Sequence, residues 1–277
     1  MNIAFIPVRG GSKSIPLKNI KPINGKPLVY WTAKAACEAN CVDKVIIATD
    51  SKEIKDVVLS FGFPKLEVYD RDPQNAQDTS STESVMLEYI EKALLDPKDN
   101  FILIQATSPL LKSKFIDEMI EKLELSDADS IFSAVREKQF HWIESSDGVK
   151  PINYDYKNRP RRQDFQGILA ENGACYINSV ENILRDKCRL SGKITIYEMP
   201  VETAYEIDEE LSSFNGCTYK NKVLTCTKEY TIDEEDYTSN NEGEKVFVID
   251  ELDRSLHPQM TIKFVETFLK FSQKKTT

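Results

Sequence analysis

The sequence lacks both of the glycine patterns that most often mark a phosphate-binding loop. A P-loop requires G-x-x-x-x-G-K-[ST], but Ile15 and Pro16 stand where a second glycine would follow Gly10 and Gly11. A dinucleotide-binding turn requires G-x-G-x-x-G at the start of a helix, whereas this loop continues into Pro16 and Pro22. Both motifs are therefore excluded for this segment.

Long apolar runs and metal-binding patterns are scarce as well. No apolar run approaches the roughly eighteen residues that a membrane span needs, and no cationic segment precedes the N-terminal run MNIAFIPV. We therefore expect a cytoplasmic protein that does not interact with membranes. The 6 cysteines include no C-x-x-C pair and lie far from both His141 and His257, which argues against a zinc site and predicts reduced thiols.

Positive charge is in deficit over the chain as a whole. The 36 Lys and Arg residues face 45 Asp and Glu residues, which gives a net charge of −9. Such an acidic body argues against nucleic acid as a partner, whereas a local basic loop on it suits a small anionic ligand. The 277 residues, 40% of them hydrophobic, suffice for one large α/β domain or for a domain with an appendage.

Short apolar runs alternate with longer amphipathic ones over residues 2 to about 135. The predicted strands are 3–8, 44–49, 67–69, 101–105 and 130–134, and the predicted helices are 27–39, 51–61, 81–94 and 113–125. This alternation is typical of βαβ units and predicts an α/β fold, with a Rossmann-like, mostly parallel sheet and helices on both faces. Polar residues follow three of the strands, and ligands gather at the carboxyl ends of such strands.

The second half of the chain departs from this alternation. Residues 138–170 are rich in aromatics and arginines and predict an inserted arm, and ENGACYI at 171–177 predicts a turn followed by a strand. Another strand is predicted at 193–200. After a first domain over residues 1–210, we expect a polar, acidic connector over 211–245 and an atypical C-terminal extension over 246–277.

The loop IPVRGGSKSIPLKNI, residues 6–20, combines glycines with cationic and amide side chains. Glycines allow the backbone to approach a phosphate closely, and Lys and Arg supply the opposite charge. The loop therefore predicts a ligand that carries phosphate. A solvated surface turn is the alternative that the residues leave open.

Several motifs in order give the chain its resemblance to a known family. They are RGGSKSIPLKN at 9–19, ATD at 48–50, AQDTSST at 76–82, LIQATSPL at 103–110, RPRRQ at 159–163, NGACYI at 172–177 and YEIDEE at 205–210. Over residues 1 to about 210 the chain resembles the acylneuraminate cytidylyltransferases, the CMP-sialic acid synthetases. The resemblance implies that CTP is coupled to a nine-carbon 2-keto sugar acid, with release of pyrophosphate, in a homodimer whose arm reaches across the subunits.

That reaction is an attack of the sugar anomeric hydroxyl on the α-phosphate of CTP. It requires neutralised phosphate charge and reactants held in line. The resemblance implies that Arg9, Gly10, Ser12, Lys18 and Asn19 bind the nucleotide, and that Arg9 and Lys18 also act in catalysis.

Magnesium is the cofactor that the resemblance implies. This ion prefers one or two carboxylates together with phosphate oxygens. Glu206 and Asp208 stand at the positions of an Asp-x-Asp pair in the family, so both are implied as metal ligands and Asp208 also as a catalytic residue. An ordinary acidic surface cluster is the alternative.

The remaining implied contacts concern the nucleoside and the sugar. Arg71, Ser80 and Thr82 correspond to residues that contact the base and ribose, although Ser80 or Thr82 could also cap a helix. The implied sugar contacts are Gln105, Arg161, Asn172 and Tyr176. Arg161 could instead belong to the subunit interface.

The C-terminal extension carries a second, separate resemblance. VFVIDELDRSLHP at 246–258 resembles the Walker B strand and following loop of ABC-like AAA ATPases, but the chain has no Walker A sequence. We therefore expect the extension to be non-catalytic. A catalytically impaired fusion protein that binds nucleotide without turnover is the alternative function.

Overall fold

The computed structural model describes residues 1–11, 17–77, 79–146, 148–205, 207, 217–220 and 223–226. The chain divides into two compact units, residues 1–210 and 211–277. In the second unit, an antiparallel hairpin joins Cys217–Lys220 to Val223–Cys226. The rest of the predicted connector, and the whole of the predicted extension over 246–277, lie outside the described residues, so those predictions stay predictions.

The first unit contains alternating strands and helices. The strands are β1 (Asn2–Pro7), β2 (Pro22–Ile23), β3 (Lys26–Pro27), β4 (Lys44–Thr49), β5 (Leu66–Asp70), β6 (Asn100–Ile104), β7 (Ser130–Glu137), β8 (Trp142–Ser145), β9 (Gly148–Pro151), β10 (Ile168–Ser179) and β11 (Ile194–Met199). The helices are α1 (Leu28–Glu38), α2 (Lys52–Leu59), α3 (Thr82–Ala93), α4 (Ser113–Glu124) and α5 (Val180–Asp186). Among the described residues, no helix has the length and apolar character that crossing a membrane requires.

Seven of these strands form one sheet, in the order β11-β7-β10-β6-β1-β4-β5. β1 pairs in parallel with β4 and β6, β4 with β5, and β7 with β11. β10 is antiparallel to both of its neighbours, β6 and β7. The predicted α/β fold with a mostly parallel sheet is therefore confirmed.

Both faces of the sheet are covered by helices, because buried residues alternate between two cores along each central strand. In β1, Ala4 and Ile6 pack in one core with residues of α1, α2 and α4, while Ile3 and Phe5 pack in the other with residues of α3 and α5. A strand that is buried on both faces reads as a continuous apolar run, as the N-terminal run does. The predicted coverage of both faces is thus also confirmed.

The antiparallel course of β10 determines which chain ends meet at the carboxyl edge of the sheet. Since β10 is antiparallel to β6 and to β7, those two strands run in the same direction as each other. The segments that follow β1, β4, β5, β6, β7 and β11 therefore lie along one edge. β10 begins at this edge, so the arm between β7 and β10 has both of its ends there.

The predicted turn at the start of residues 171–177 is wrong. These residues belong to β10, which is one strand of 12 residues with an irregularity between Glu171 and Tyr176. Gly173 lies within this irregularity, and its φ of 65° is a left-handed conformation that glycine adopts without strain. Asn172 and Gly173, the residues that suggested a turn, lie inside this strand. The side chain of Asn172 is buried and hydrogen-bonded within the fold instead of facing solvent.

The arm contains the hairpin of β8 and β9, followed by a 3-10 turn at Tyr156–Asn158. At its base, the ring of Phe140 lies 4.3 Å from that of Tyr154 and 4.9 Å from that of Phe165. The guanidinium of Arg159 stacks on Phe140 at 4.6 Å. Aromatic packing therefore stabilises this insertion locally.

Candidate active site

The glycine loop lies against the end of the neighbouring strand β4. The Gly10 N–H donates to Asp50 Oδ1 at 3.0 Å, and a Cβ atom at position 10 would approach Ser51 Cβ to 2.8 Å. Glycine is therefore required at position 10 for close approach. The Gly10 N–H is therefore already paired within the protein.

Two of the residues predicted to bind the nucleotide, Arg9 and Asn19, lie next to this contact. Arg9 Nη1 donates to the Gln77 carbonyl at 3.5 Å, which brings Arg9 to the segment that follows β5. Asn19 is buried and its Nδ2 donates to the Arg9 carbonyl at 3.3 Å, and this hydrogen bond stabilises the loop. Lys18 begins a 3-10 turn at Lys18–Ile20. Ser12 lies outside the described residues.

Arg71 follows β5 and is buried at the same edge. Its N–H donates to the Thr49 carbonyl at 3.1 Å, and its side chain donates through Nη2 to the Asn75 carbonyl. Its Nε is buried without a hydrogen-bond partner among the described residues. Burial lowers the pKa of Arg71, and the carboxylates of Asp50 and Glu88 oppose that shift. A cation with an unused donor at this place is suited to bind an acceptor group of a ligand.

Glu88 of α3 holds the segment around Arg71 in place. Its carboxylate accepts hydrogen bonds from Tyr69 Oη at 2.5 Å, Asn75 Nδ2 at 2.6 Å and the Asp72 N–H at 2.8 Å, and it pairs with Lys92 at 3.0 Å. Burial opposes its ionisation, but these hydrogen bonds prevail and lower the pKa of Glu88 to about 2. Glu88 is therefore ionised at neutral pH, and its hydrogen bonds hold the chain on both sides of Arg71.

The two hydroxyl residues predicted to contact the nucleoside lie at the start of α3. Ser80 Oγ donates to the Gln74 carbonyl at 3.1 Å. Thr82 is the first residue of the helix, and the capping residue is Ser81, whose Oγ accepts the Ser84 N–H at 3.0 Å. Ser80 and Thr82 therefore do not cap the helix through their side chains, and a contact with the nucleoside stays a prediction.

The loop that follows β6 contains hydroxyl groups that are buried without partners. Gln105 is half-buried, and its N–H donates to the Ala174 carbonyl at 3.3 Å. Thr107 Oγ1 and Ser108 Oγ have no hydrogen-bond partner among the described residues. Since burying an unpaired hydroxyl is unfavourable, these two are candidates for ligand contacts that the sequence analysis did not single out.

Asn172 and Tyr176, two of the predicted sugar contacts, are buried and bonded within the protein. Asn172 Oδ1 accepts from Ser133 Oγ at 2.6 Å, and its Nδ2 donates to Thr203 Oγ1 at 3.1 Å. The Tyr176 hydroxyl donates to Glu171, and the Arg189 guanidinium lies 5.1 Å from the Tyr176 ring. The polar groups of both side chains are therefore already paired within the protein.

Arg161 lies apart from these buried residues, on the exposed arm. Its carbonyl accepts hydrogen bonds from the N–H groups of Asp164 and Phe165, each at 3.0 Å. The choice between a sugar contact and an interface position, which the sequence left open, stays open at this residue.

The segment that follows β11 returns along the edge to the loop after β6. In the sheet, β11 is three strands away from β6, about 14 Å at the usual spacing. Yet the Ile207 N–H donates to the Thr107 carbonyl at 2.9 Å. Ile207 stands between Glu206 and Asp208 in the sequence, and these two residues lie outside the described residues. Within the described ranges, no group of three or more His, Cys, Asp or Glu side chains is arranged to hold a metal ion.

Sequence reasoning missed Asp50, Glu88 and the hydroxyls of Thr107 and Ser108. Asp50 and Thr107 were visible as polar residues after strands, because such residues meet at one edge in a parallel sheet. Glu88 carried no signal, since a glutamate on an amphipathic helix is ordinarily solvated. Its role depends on a contact between α3 and the segment after β5.

Solved structures of two enzymes share this fold. A CMP:2-keto-3-deoxy-manno-octonic acid synthetase complexed with CTP matches with a TM-score of 0.55 and 16% sequence identity, over 78% of this chain and 96% of that one. A 4-diphosphocytidyl-2C-methyl-D-erythritol synthase from Anaerococcus prevotii matches with a TM-score of 0.53 and 12% identity, over 77% and 93%. The chain therefore has the α/β fold of these two synthases.

Sequence similarity identifies the family. Residues 3–235 match the sequence profile of the family described as Cytidylyltransferase, and the chain belongs to this family. It is 39% identical over 212 residues to N-acylneuraminate cytidylyltransferase A of Danio rerio, covering 75% of this chain and 48% of that protein. Identity to the N-acylneuraminate cytidylyltransferase of Streptococcus agalactiae serotype V is 32% over 213 residues, covering 74% and 50%. The chain thus spans about half the length of these relatives.

Proposed function

We propose that the protein couples CTP to a nine-carbon 2-keto sugar acid and releases pyrophosphate. The observation that supports this proposal most strongly is the hydrogen bond from Ile207 to Thr107. It brings the backbone of Ile207, which stands between Glu206 and Asp208 in the sequence, to the sheet edge at which Arg9 and Arg71 also lie. In the proposal, the carboxylates of Glu206 and Asp208 act at this edge, because the reaction of a metal-bound triphosphate requires cationic and acidic groups together. The relatives named N-acylneuraminate cytidylyltransferase support a sialic-acid-like acceptor.

In this proposal the residues at the edge bind and orient the two substrates. Arg9 and Lys18 neutralise the triphosphate, and Asp50 and Asn19 hold the loop that carries them. Arg71 donates its unused Nε to an acceptor of the nucleoside. The sugar lies next to Gln105, where the anomeric hydroxyl of the sugar can lie in line with the α-phosphate of CTP. The buried hydroxyls of Thr107 and Ser108 lie on the same loop as Gln105.

Magnesium is part of the proposal, with Asp208 and Glu206 as the residues that would hold it. Carboxylates are the ligands this ion prefers, so the chemistry of the donor pair fits it. When bound, the ion would neutralise charge on the phosphates. The hydrogen bond to Thr107 holds the backbone of Ile207, which stands between these two carboxylate residues in the sequence, at the loop after β6.

A homodimer formed through the arm also belongs to the proposal. Trp142, Ile143, Val149, Ile152 and Tyr156 are large apolar side chains that are each about half exposed or more. Several exposed large apolar residues on one insertion favour a role for the arm in an interface. Arg161 lies on the same arm, next to these residues in the sequence.

Pyrophosphate release tests the proposal directly. The chain is incubated with CTP and Mg²⁺, together with N-acetylneuraminic, legionaminic or pseudaminic acid. We expect release that depends on CTP, on Mg²⁺ and on one of the acids. Release that is equal without any acid, or no release with all three, would contradict the proposal. Stabilisation by CTP without release would instead favour the catalytically impaired fusion.

Within the active chain, Lys18→Ala and Asp208→Ala should lower kcat at least tenfold while leaving the melting temperature unchanged. Both residues are assigned to substrate and metal rather than to the core. Lys21→Ala, an exposed lysine near the loop, is the matched control and should retain activity. Equal rates in Lys18→Ala and Lys21→Ala would overturn the role of Lys18.

A further inference from the structure

Asn172, Ser133 and Thr203 form a buried polar network beside the candidate site. Each of the three is no more than 3% exposed. Ser133 lies on β7, Asn172 in the bulge of β10, and Thr203 in the 3-10 turn Val201–Ala204 that follows β11. The network therefore joins three neighbouring chain segments at the carboxyl edge.

The first part of the network lies within the sheet, between β7 and β10. Ser133 Oγ donates to Asn172 Oδ1 at 2.6 Å and accepts the Cys175 N–H at 3.0 Å. The Ala174 N–H adds a longer contact to Asn172 Oδ1 at 3.4 Å. Asn172 Oδ1 thus faces donors from within the protein, and the bulge is held in one conformation.

The network continues into the turn through the amide nitrogen of Asn172. Nδ2 donates to Thr203 Oγ1 at 3.1 Å and lies 3.4 Å from the Thr203 carbonyl. Thr203 Oγ1 in turn donates to the Pro200 carbonyl at 2.7 Å, alongside its own N–H at 2.9 Å. The threonine hydroxyl is therefore the link between the bulge and the chain that leaves β11.

We propose that Asn172 is a positioning residue, which acts through Thr203 to fix the turn from which the chain continues to Ile207, instead of contacting the sugar. This inference rests on the proposed function. Thr203 precedes Glu206 by three positions, and Ile207 is bonded to Thr107. The backbone is thus held at Thr203 and again at Ile207, four residues further along the chain. Asn172 could contact a sugar only by giving up hydrogen bonds in a buried environment, where such losses are unfavourable.

Two variants of Thr203 isolate this link. Thr203→Val keeps the shape of the side chain and removes the hydroxyl, whereas Thr203→Ser keeps the hydroxyl. Hydrogen exchange is measured on the peptide covering residues 204–210 in the free protein. We expect Thr203→Val to speed exchange there by about fivefold or more, the effect of losing the two hydrogen bonds of the hydroxyl, with exchange in the central strands unchanged. Thr203→Ser should behave like the wild type.

Steady-state kinetics separate positioning from sugar binding. In Thr203→Val and in Asn172→Ser, we expect a lower kcat and a higher Mg²⁺ requirement, with the KM for the sugar acid within twofold of wild type. An Asn172 that contacts the sugar predicts the opposite: a raised sugar KM in Asn172→Ser and no change in Thr203→Val. That pattern, or wild-type exchange in Thr203→Val, would overturn the inference.

The hydrogen-exchange experiment tests the role of Thr203 whether or not the proposed function is correct. If the wild type releases no pyrophosphate with any acid, the proposed function fails, while the exchange experiment still decides whether Thr203 fixes the turn. If Thr203→Val does not fold, Ser133→Ala interrupts the same network from its other side. The same faster exchange is then expected over residues 204–210, and its absence would count against the proposal.

Discussion

Gly10 occupies a place where no other residue fits without moving its neighbours. A Cβ atom there would meet Ser51 Cβ at 2.8 Å, whereas no atom of the described residues lies within 4 Å of a Cβ atom at Gly11. We expect Gly10→Ala to lower the free energy of unfolding by about 1–3 kcal/mol and to weaken CTP binding, because the loop must move away from Asp50. Urea unfolding and calorimetric titration with CTP measure the two effects.

Gly11→Ala is the matched control for this substitution. It adds the same methyl group one position away, into open space, and should change stability by no more than about 0.5 kcal/mol. Equal effects of Gly10→Ala and Gly11→Ala on stability and on CTP affinity would show that the contact with Ser51 does not position the loop.

Glu88 provides a prediction that depends on pH. Its pKa in the folded protein is about 2, below the ordinary value of 4.5, so it stabilises the fold while it is ionised. A lowered acid pKa gives a contribution that is complete above about pH 5 and is lost as the pH falls toward 2. Glu88→Gln should therefore cost about 1–3 kcal/mol at pH 7 and progressively less below pH 4.5. Urea unfolding of both proteins from pH 3 to pH 7 measures this.

Glu91→Gln is the control for Glu88→Gln, because Glu91 is exposed on the same helix. Its effect on stability should be small at every pH. A difference between wild type and Glu88→Gln that stays constant from pH 7 to pH 3 would contradict the role of the Glu88 carboxylate. It would instead assign the effect to side-chain shape.

The proposed role of the arm in dimerisation can be tested by measuring the mass of the protein in solution. Its exposed apolar side chains should lie in a subunit interface if the proposed dimer is correct. We expect the wild type to show twice the chain mass of 31.6 kDa in light scattering, and the double variant Trp142→Ser, Ile143→Ser to shift toward the monomer. Leu125→Ser removes an exposed leucine outside the arm and should leave the mass unchanged. A wild-type mass of one chain would contradict the dimer.

At the scale of elements, local patterns predicted the parallel strands and the helices between them to within a few residues. The reason is that strands buried on both faces are apolar runs, while helices such as α4 carry apolar residues at helical spacing. The course of β10 could not be predicted in this way. Strand direction depends on contacts between residues far apart in the chain, such as Tyr176 with Leu103 and Phe132.

At the scale of the whole molecule, both cores of the first unit consist of residues between Ile3 and Met199. A fragment of residues 1–210 should therefore unfold in one cooperative transition, with a near-ultraviolet circular dichroism spectrum that shows fixed aromatic side chains. Thermal unfolding of the fragment and of the full chain measures this. A fragment without a cooperative transition would show that the first unit requires the residues that follow it.

The candidate site was only partly accessible from the sequence. The glycine loop, Arg71 and Gln105 are found at one edge because each follows a parallel strand, and that rule needs no structure. The resemblance implies sugar contacts for Asn172 and Tyr176, yet the polar groups of these two side chains bond to Thr203 and Glu171. A motif gives the residue type, whereas only packing decides whether its polar group faces a ligand or another side chain.

The antiparallel strand β10 has a consequence for communication within the molecule. The arm leaves the sheet at the end of β7 and returns at the start of β10, so both of its attachments lie on the edge that holds the site. A ligand that orders these two strand ends and a second subunit that orders the arm would act on the same backbone. By thermodynamic linkage, each would then change the affinity of the other by the same factor.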